Sequence, residues 1–303
     1  MAVIDGRTVR WAEYIGEETL GTTPTNPTML AFPGDLVGID VQSGPEMESY
    51  KILKGATDTD PLSCGESVKT GETHQVTITL KVSGVTWLPY ILLGATTSAY
   101  APGIVSHPIS IGLVAGTEYC VLEGCGWKSA VLDFPDTRTA ATLTLTFMCI
   151  GKTDWSETDY KGTGSHASAP TAAPYTMSSI TLFEYDDVSP DTSDVYLESL
   201  KISIENDIEP VYDLSSEAAS KIGDWSFLSR SMQVDMGMSM IGMGVHDDIL
   251  DGDAHKIDFT LGTKAFTFSN LYWTNAPSVN LSPASKVGMT LTSDGEATRI
   301  AIA

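Results

Sequence analysis

The sequence predicts an all-β protein built from two tandem copies of one unit, with one or two short helices. Three observations carry this expectation. Apolar and polar residues alternate with a period of two in several stretches. Helical patterning is sparse. Short motifs recur in the same order in both halves, which divides the chain into units 1–165 and 166–303.

The strands come first. From His74 to Val82, apolar Val76, Ile78, Leu80 and Val82 alternate with Gln75, Thr77, Thr79 and Lys81. Such a stretch buries one face of a strand and leaves the other polar. Thr139 to Ile150 sets Leu143, Leu145 and Phe147 against Thr142, Thr144 and Thr146. Glu198 to Ile204 sets Leu200, Ile202 and Ile204 against Ser199, Lys201 and Ser203. Arg230 to Met240 sets Met232, Val234, Met236, Met238 and Met240 against Gln233, Asp235 and Ser239. Shorter strands are expected at Ala265–Phe268, Val287–Leu291 and Thr298–Ile302.

Helix signals are few. Ser215 to Ile222 has a serine to cap its start and Gly223 to stop it. Ser63–Thr70 is a weaker counterpart, and Pro89–Gly94 reads as a short apolar turn or helix. Gly162 to Pro174 is small, polar and proline-rich, the composition of a linker or mobile loop. Asp133 to Arg138 reads as a proline-containing turn.

The repeat is read from ordered matches. Phe32-x-x-Asp35 recurs as Phe183-x-x-Asp186, and Glu48-Ser49-x-Lys51-Ile52 as Glu198-Ser199-x-Lys201-Ile202. Asp58-x-Asp60-Pro61 recurs as Asp207-x-Glu209-Pro210, and Lys69-x-Gly71-Glu72 as Lys221-x-Gly223-Asp224. Trp127 matches Trp273, and Thr144-Leu145-Thr146 matches Thr290-Leu291-Thr292. The acidic-proline pair is expected to end its strand, since proline cannot continue a sheet ladder.

Composition bounds the function. With 39 acidic and 17 basic side chains the formal charge is −22. A nucleic-acid binder has the opposite balance, because it neutralises phosphates with lysine and arginine. No run of about 18 apolar residues suggests a membrane helix. The N-terminal stretch Met1–Arg10 has no apolar core of a signal peptide, so the expected site of synthesis and assembly is the cytoplasm.

Chemistry-bearing motifs are scarce. Cys64, Cys120, Cys125 and Cys149 lack metal-site spacing, and Cys149 reads as a buried small hydrophobe. No P-loop, HExxH, GxSxG or CxxC is present. His246, Asp247, Asp248, Asp251, Asp253 and His255 could ligate zinc or a hard cation. The reading preferred here is a hairpin turned at Asp251-Gly252 between the apolar runs Met232–Val245 and Ile257–Leu261. The methionines Met232, Met236, Met238, Met240 and Met243 form a stripe that suits either a contact between subunits, for which Met236, Met238, Met240 and Met243 are the candidates, or a core. Trp127 and Trp273 read as core or interface anchors.

The opening Glu17-Glu18-Thr19-Leu20-Gly21-Thr22-Thr23-Pro24 resembles the start of tail tube proteins of long-tailed phages and archaeal viruses. So does Leu197 to Leu214, LESLKISIENDIEPVYDL. The resemblance implies a β-sandwich or half-barrel unit with a flanking helix, units that close a β-barrel ring, and rings that stack into a tube. A duplicated chain would close such a ring as a trimer with pseudo-sixfold symmetry, with a hexamer as the alternative.

On this reading the protein is a structural virion protein and not an enzyme, needs no cofactor or metal, and has no membrane partner. Its partners are other copies of itself, other tail proteins, and viral DNA that passes without specific binding. The expected lumen-lining residues are those of the polar strand faces: Gln75, Thr77, Thr79, Thr142, Thr144, Thr146, Ser199, Ser203, Glu205, Gln233 and Asp235. Lys51, Lys81 and Lys201 are exceptions that must be few or paired if they face DNA. A tandem β-sandwich binding module, adhesin or carbohydrate-binding, is the alternative; a metal-dependent hydrolase on the His246–His255 cluster is a third.

Overall fold

The computed structural model describes residues 10–51, 65–85, 99–100, 108–185, 195–212, 222–240, 252–274, 287–295 and 298–303. They form an all-β protein of antiparallel strands. The strands of the first half are β1 (Arg10–Gly16), β2 (Leu30–Ala31), β3 (Gly34–Lys51), β4 (Gly65–Val82), β5 (Ala99–Tyr100), β6 (Ile109–Ala115), β7 (Glu118–Phe134), β8 (Thr142–Cys149) and β9 (Gly151–Lys152). Those of the second half are β10 (Ile180–Tyr185), β11 (Val195–Tyr212), β12 (Ile222–Met240), β13 (His255–Leu261), β14 (Lys264–Leu271), β15 (Val287–Thr292) and β16 (Arg299–Ile302).

One large sheet runs β3-β4-β8-β7-β11-β12-β15 and takes strands from both halves. Strand β7 bridges two sheets. Its end pairs with β8 and β11, and its start pairs with β6 and β9 in a smaller sheet that also holds β1 and β2. The third sheet runs β10-β13-β14-β16-β5.

The alternating strands bury one face. Ile78, Leu80, Leu143, Leu145, Leu132, Ile202, Ile204, Val234 and Met236 are all buried on that side of the large sheet. Phe266, Phe268 and Ile300 of the third sheet close over Ala130, Leu143, Ile202 and Ile204. On the other flank Phe32 bridges Tyr14 of β1 and Phe147 of β8, with ring centroids 5.0 and 6.4 Å away. Burying this apolar surface is the main favourable contribution to the fold.

The pairing of the first half recurs in the second. Strand β6 pairs β7 as Leu113↔Cys120 and Ile111↔Leu122; β13 pairs β14 as Phe259↔Phe266 and Ile257↔Phe268. Both hairpins turn on Gly-Thr, with Gly116 and Gly262 at φ 69° and 60°, a backbone that glycine adopts without strain. The long hairpins match as well. Strand β3 has an extra residue, Val37, between Leu36 and Gly38, and β11 has Glu198 between Leu197 and Ser199. Further along, the extra residue is on the partner, Thr70 of β4 opposite Glu46–Met47 and Leu228 of β12 opposite Asp207–Ile208.

These registers correct half of the sequence matches. Trp127 and Trp273 fall at corresponding points, as do Leu145 and Leu291, each paired to the second arm of its long hairpin. The upstream matches within the described residues do not. Ile39 corresponds to Leu200 in pairing, so Ser199 and Lys201 answer to Gly38 and Asp40 and not to Ser49 and Lys51, and Phe183 lies in β10 whereas Phe32 precedes β3. Asp58–Pro61 lies outside the described residues. The halves differ in loop length, so a near-constant offset cannot hold along the chain.

Other expectations are also changed. Pro210 does not end β11, which continues to Tyr212. Among the described residues, this strand pairs beyond Glu205 with β12 alone, so a residue lacking an amide proton is tolerated on the other side. Of the hairpin expected around Asp251-Gly252, residues 241–251 lie outside the described residues; among the described residues β12 pairs with β11 and β15, and β13 with β10 and β14. Residues 65–70 of the weak helix signal are strand, as is Ile222 of the Ser215–Ile222 signal; the rest of that signal and Pro89–Gly94 lie outside the described residues. Among the described residues the helical structure is one 3-10 turn, Met177–Ser179.

The segment read as a linker is a strap on the first half. Ser165 N–H donates to the Pro27 carbonyl, Met29 N–H donates to the Ser165 carbonyl, and Ala167 N–H donates to Glu13 Oε2 at 2.7 Å.

Candidate functional site: the polar face of the large sheet

Side chains at alternate positions of a strand share a face, so register decides which polar residues of different strands meet. The large sheet brings every expected lumen residue onto one face. Thr77 lies beside Thr146, which lies beside Ser129, followed by Glu205 and Ser231. The next row is Thr79, Thr144, Val131, Ser203 and Gln233. Gln75 extends the face at one end, beside Met148, and Ser199 at the other, beside Gly237.

A third row crosses all the strands of the sheet: Asp35, Lys81, Thr142, Asp133, Lys201, Asp235 and Thr292. Here the two lysines meet partners. Lys81 Nζ donates to Thr142 Oγ1 at 2.8 Å and to the Ala140 carbonyl at 3.0 Å. Lys201 lies between Asp133 and Asp235. Opposite charges on neighbouring strands stabilise a sheet modestly. With Asp40 and Glu205, these rows hold five carboxylates and two lysines, so the face is net acidic. The side chain of Lys51 lies outside the described residues.

The face is hydroxyl-rich, with Val131 and Met148 as apolar interruptions. Thr77 and Thr146 hydroxyls lie 3.3 Å apart, and Gln233 Nε2 donates to Asp235 Oδ1 at 2.9 Å. Local bonds of this kind occupy donors that would otherwise seek a ligand.

The methionine stripe divides differently from the subunit-contact reading. Met236 and Met238 are 0% and 1% exposed and belong to the core of the chain itself. The side chain of Met240 and all of Met243 lie outside the described residues. So do His246, Asp247, Asp248 and Asp251 of the cation cluster. His255 is buried and stacks on Tyr185 and Trp273 at 5.3 and 6.3 Å. Among the described residues no group of three or more His, Cys, Asp or Glu side chains is arranged to hold a metal ion.

One constellation went unnoticed in the sequence. Glu13 of β1 is 0% exposed. It accepts hydrogen bonds from Tyr160 Oη at 2.6 Å and Ala167 N–H at 2.7 Å, and its Oε1 lies 2.7 Å from His166 Nδ1. His166 Nε2 lies 3.0 Å from Asp159 Oδ2, and Lys161 Nζ donates to the same oxygen at 2.5 Å. Burial and the Glu13 carboxylate push the Tyr160 hydroxyl well above its ordinary pKa, so it stays a donor. The only sequence signal was a carboxylate inside the otherwise apolar run Trp11 to Ile15.

The Glu17–Pro24 motif folds into a tight turn on β6 and β7. Glu17 Oε2 accepts from Gly21 N–H at 2.7 Å, and its Oε1 accepts from Gly124 N–H at 2.8 Å and Ser110 Oγ at 2.6 Å. Cys120, Cys125 and Cys149 are buried, and burial pushes the Cys125 thiol well up.

No protein-family model matches the chain, and a search of curated proteins finds no relative.

Proposed function

We propose that this chain is a structural subunit of a tubular viral tail, whose polar sheet face lines a channel for DNA. The observation that supports this most is the continuous polar, net acidic face running across strands from both halves, backed by an apolar core. A duplex passing such a wall meets repulsion from carboxylates and hydroxyls already engaged with neighbours, not the lysine and arginine contacts that hold DNA. The subunit acts through assembly and has no catalytic role.

The matched pairing of the two halves supports a duplicated tube unit. Three chains would then close a ring with pseudo-sixfold symmetry, with six chains as the alternative. Ring closure removes sheet edges, which otherwise invite aggregation. Rings stack into a tube, assembled in the host cytoplasm and carried in the virion beside other tail proteins.

Electron microscopy of the purified protein at high concentration tests this. Hollow tubes or rings of three chains are expected, and the assembled protein should show no affinity for duplex DNA at about 0.15 M salt. Monomers alone, or solid assemblies without a channel, would refute it.

A further inference from the structure

Strand β7 changes partners where it passes from the smaller sheet to the large one. Before the crossing Glu123 pairs with Gly151 of β9, and after it Gly126 pairs with Met148 of β8. The two registers are continuous, so Cys125 and Cys149 between them face each other across the strands. Residues so placed have Cα atoms about 4.5–5.5 Å apart, within the range of about 4.4–6.8 Å that a disulfide spans. The side chains also meet, with Cys125 Sγ 2.7 Å from Cys149 Sγ. Both are free thiols, 1% and 0% exposed.

The fold itself does not require this pair. In the second half Leu271 pairs with His255 as Cys125 pairs with Ile109, each directly after a bulge residue of positive φ. Met232 N–H donates to the Gly295 carbonyl at the place where His74 pairs with Cys149. The second half thus sets leucine opposite glycine where the first sets two cysteines. Cys120, another buried thiol, is engaged elsewhere: its Sγ donates to the Thr153 carbonyl at 3.2 Å.

We propose that Cys125 and Cys149 are a dithiol that a low-molecular-weight disulfide, such as oxidised glutathione, converts to a cross-strand bridge fastening β7 to β8. One cysteine thiolate attacks a sulfur of the oxidant, which forms a mixed disulfide and releases one small thiol. The second thiolate attacks the protein sulfur of the mixed disulfide and releases the other. Two protein S–H bonds are lost and one protein S–S bond forms. The electron pair and both protons leave on the two small thiols. Burial keeps the Cys125 thiol protonated, so the exchange is slow and needs local opening at the crossing. A reducing compartment leaves the pair open and an oxidising one closes it. The bridge then fixes the passage of β7 between its two sheets. This inference stands independently of the tube reading.

Mass spectrometry tests it on the full chain, incubated in the native state with excess oxidised glutathione and, in parallel, refolded from urea in the same buffer. After alkylation and cleavage behind glutamate, lysine and arginine, Cys120, Cys125 and Cys149 fall on peptides 119–123, 124–128 and 139–152. Peptides 124–128 and 139–152 should be joined, and 119–123 should carry the alkyl group. The bridge should raise the melting temperature by about 5 °C, and dithiothreitol should reverse the shift. The variant Cys125→Leu/Cys149→Gly, which copies the second half, should melt at one temperature with or without oxidant, whereas Cys120→Ser should respond like wild type. If the double variant does not fold, the wild-type peptides and melting shift decide alone. The proposal is overturned if Cys125 and Cys149 stay alkylated by both routes, if 119–123 is the peptide joined, or if the bridged chain melts no higher than the reduced one.

Discussion

Gly124 and Asn270 hold the same place in two β-bulges. Each lies in the pair of residues that face one residue across a hairpin, Glu123-Gly124 opposite Ser110 and Ser269-Asn270 opposite Lys256. Each has a left-handed backbone, with φ 59° and 56°. Glycine takes this conformation freely and asparagine tolerates it better than most residues. The bulges bend β7 and β14, and in β7 the bend marks the passage from the smaller sheet to the large one.

A branched side chain at either bulge should therefore destabilise the fold. Asn270→Val should cost about 1–2 kcal/mol, the penalty of a left-handed backbone, whereas Asn270→Gly should be nearly neutral. Gly124→Ala should cost more than the same backbone penalty, because its Cβ would lie 2.7 Å from Ile150 Cδ1. Urea unfolding of the three variants checks this.

The row Asp133–Lys201–Asp235 should make the polar face sensitive to charge reversal. Lys201→Glu would place three carboxylates on adjacent strands. The expected loss is up to about 1 kcal/mol, since like charges opposite each other repel. Lys201→Thr should lose less. The difference between the two variants should shrink as salt rises from about 0.05 to 0.5 M, which thermal melts would read.

The strap over β1 should depend on Glu13. Glu13→Leu removes the buried acceptor of the half-buried Tyr160 hydroxyl, Ala167 amide and His166. Losing these bonds should cost about 1–3 kcal/mol together. Limited proteolysis should then cut residues 156–170 faster than in the wild type.

Acid should release the same strap through Asp159. Burial raises its pKa, but the Lys161 ammonium, the Lys161 amide and His166 outweigh it, and the folded pKa lies below the ordinary value. The carboxylate therefore adds stability that is complete above the unfolded value of about 3.9 and is lost as pH falls through the lower folded one. Asp159→Asn should lower the melting temperature at pH 7, and the gap from wild type should close below about pH 4.

Alternation was enough to place β4, β8, β11 and β12 and to assign each side chain to a polar or an apolar face. That follows because a strand turns successive side chains to opposite sides whatever it pairs with. The polar residues named from the sequence accordingly share one face, and Met236 and Met238 fall on the other, inside the core.

Which strands become neighbours is a different matter, because it depends on contacts between residues far apart in the chain. Only the tertiary structure set β7 against β11, separated β12 from β13, and matched Ile39 with Leu200. Only it brought Glu13, Tyr160 and His166 together, since a buried carboxylate needs donors that no local spacing announces. Local periodicity fixes the faces of a sheet, whereas its order and register come from packing the whole chain around one core.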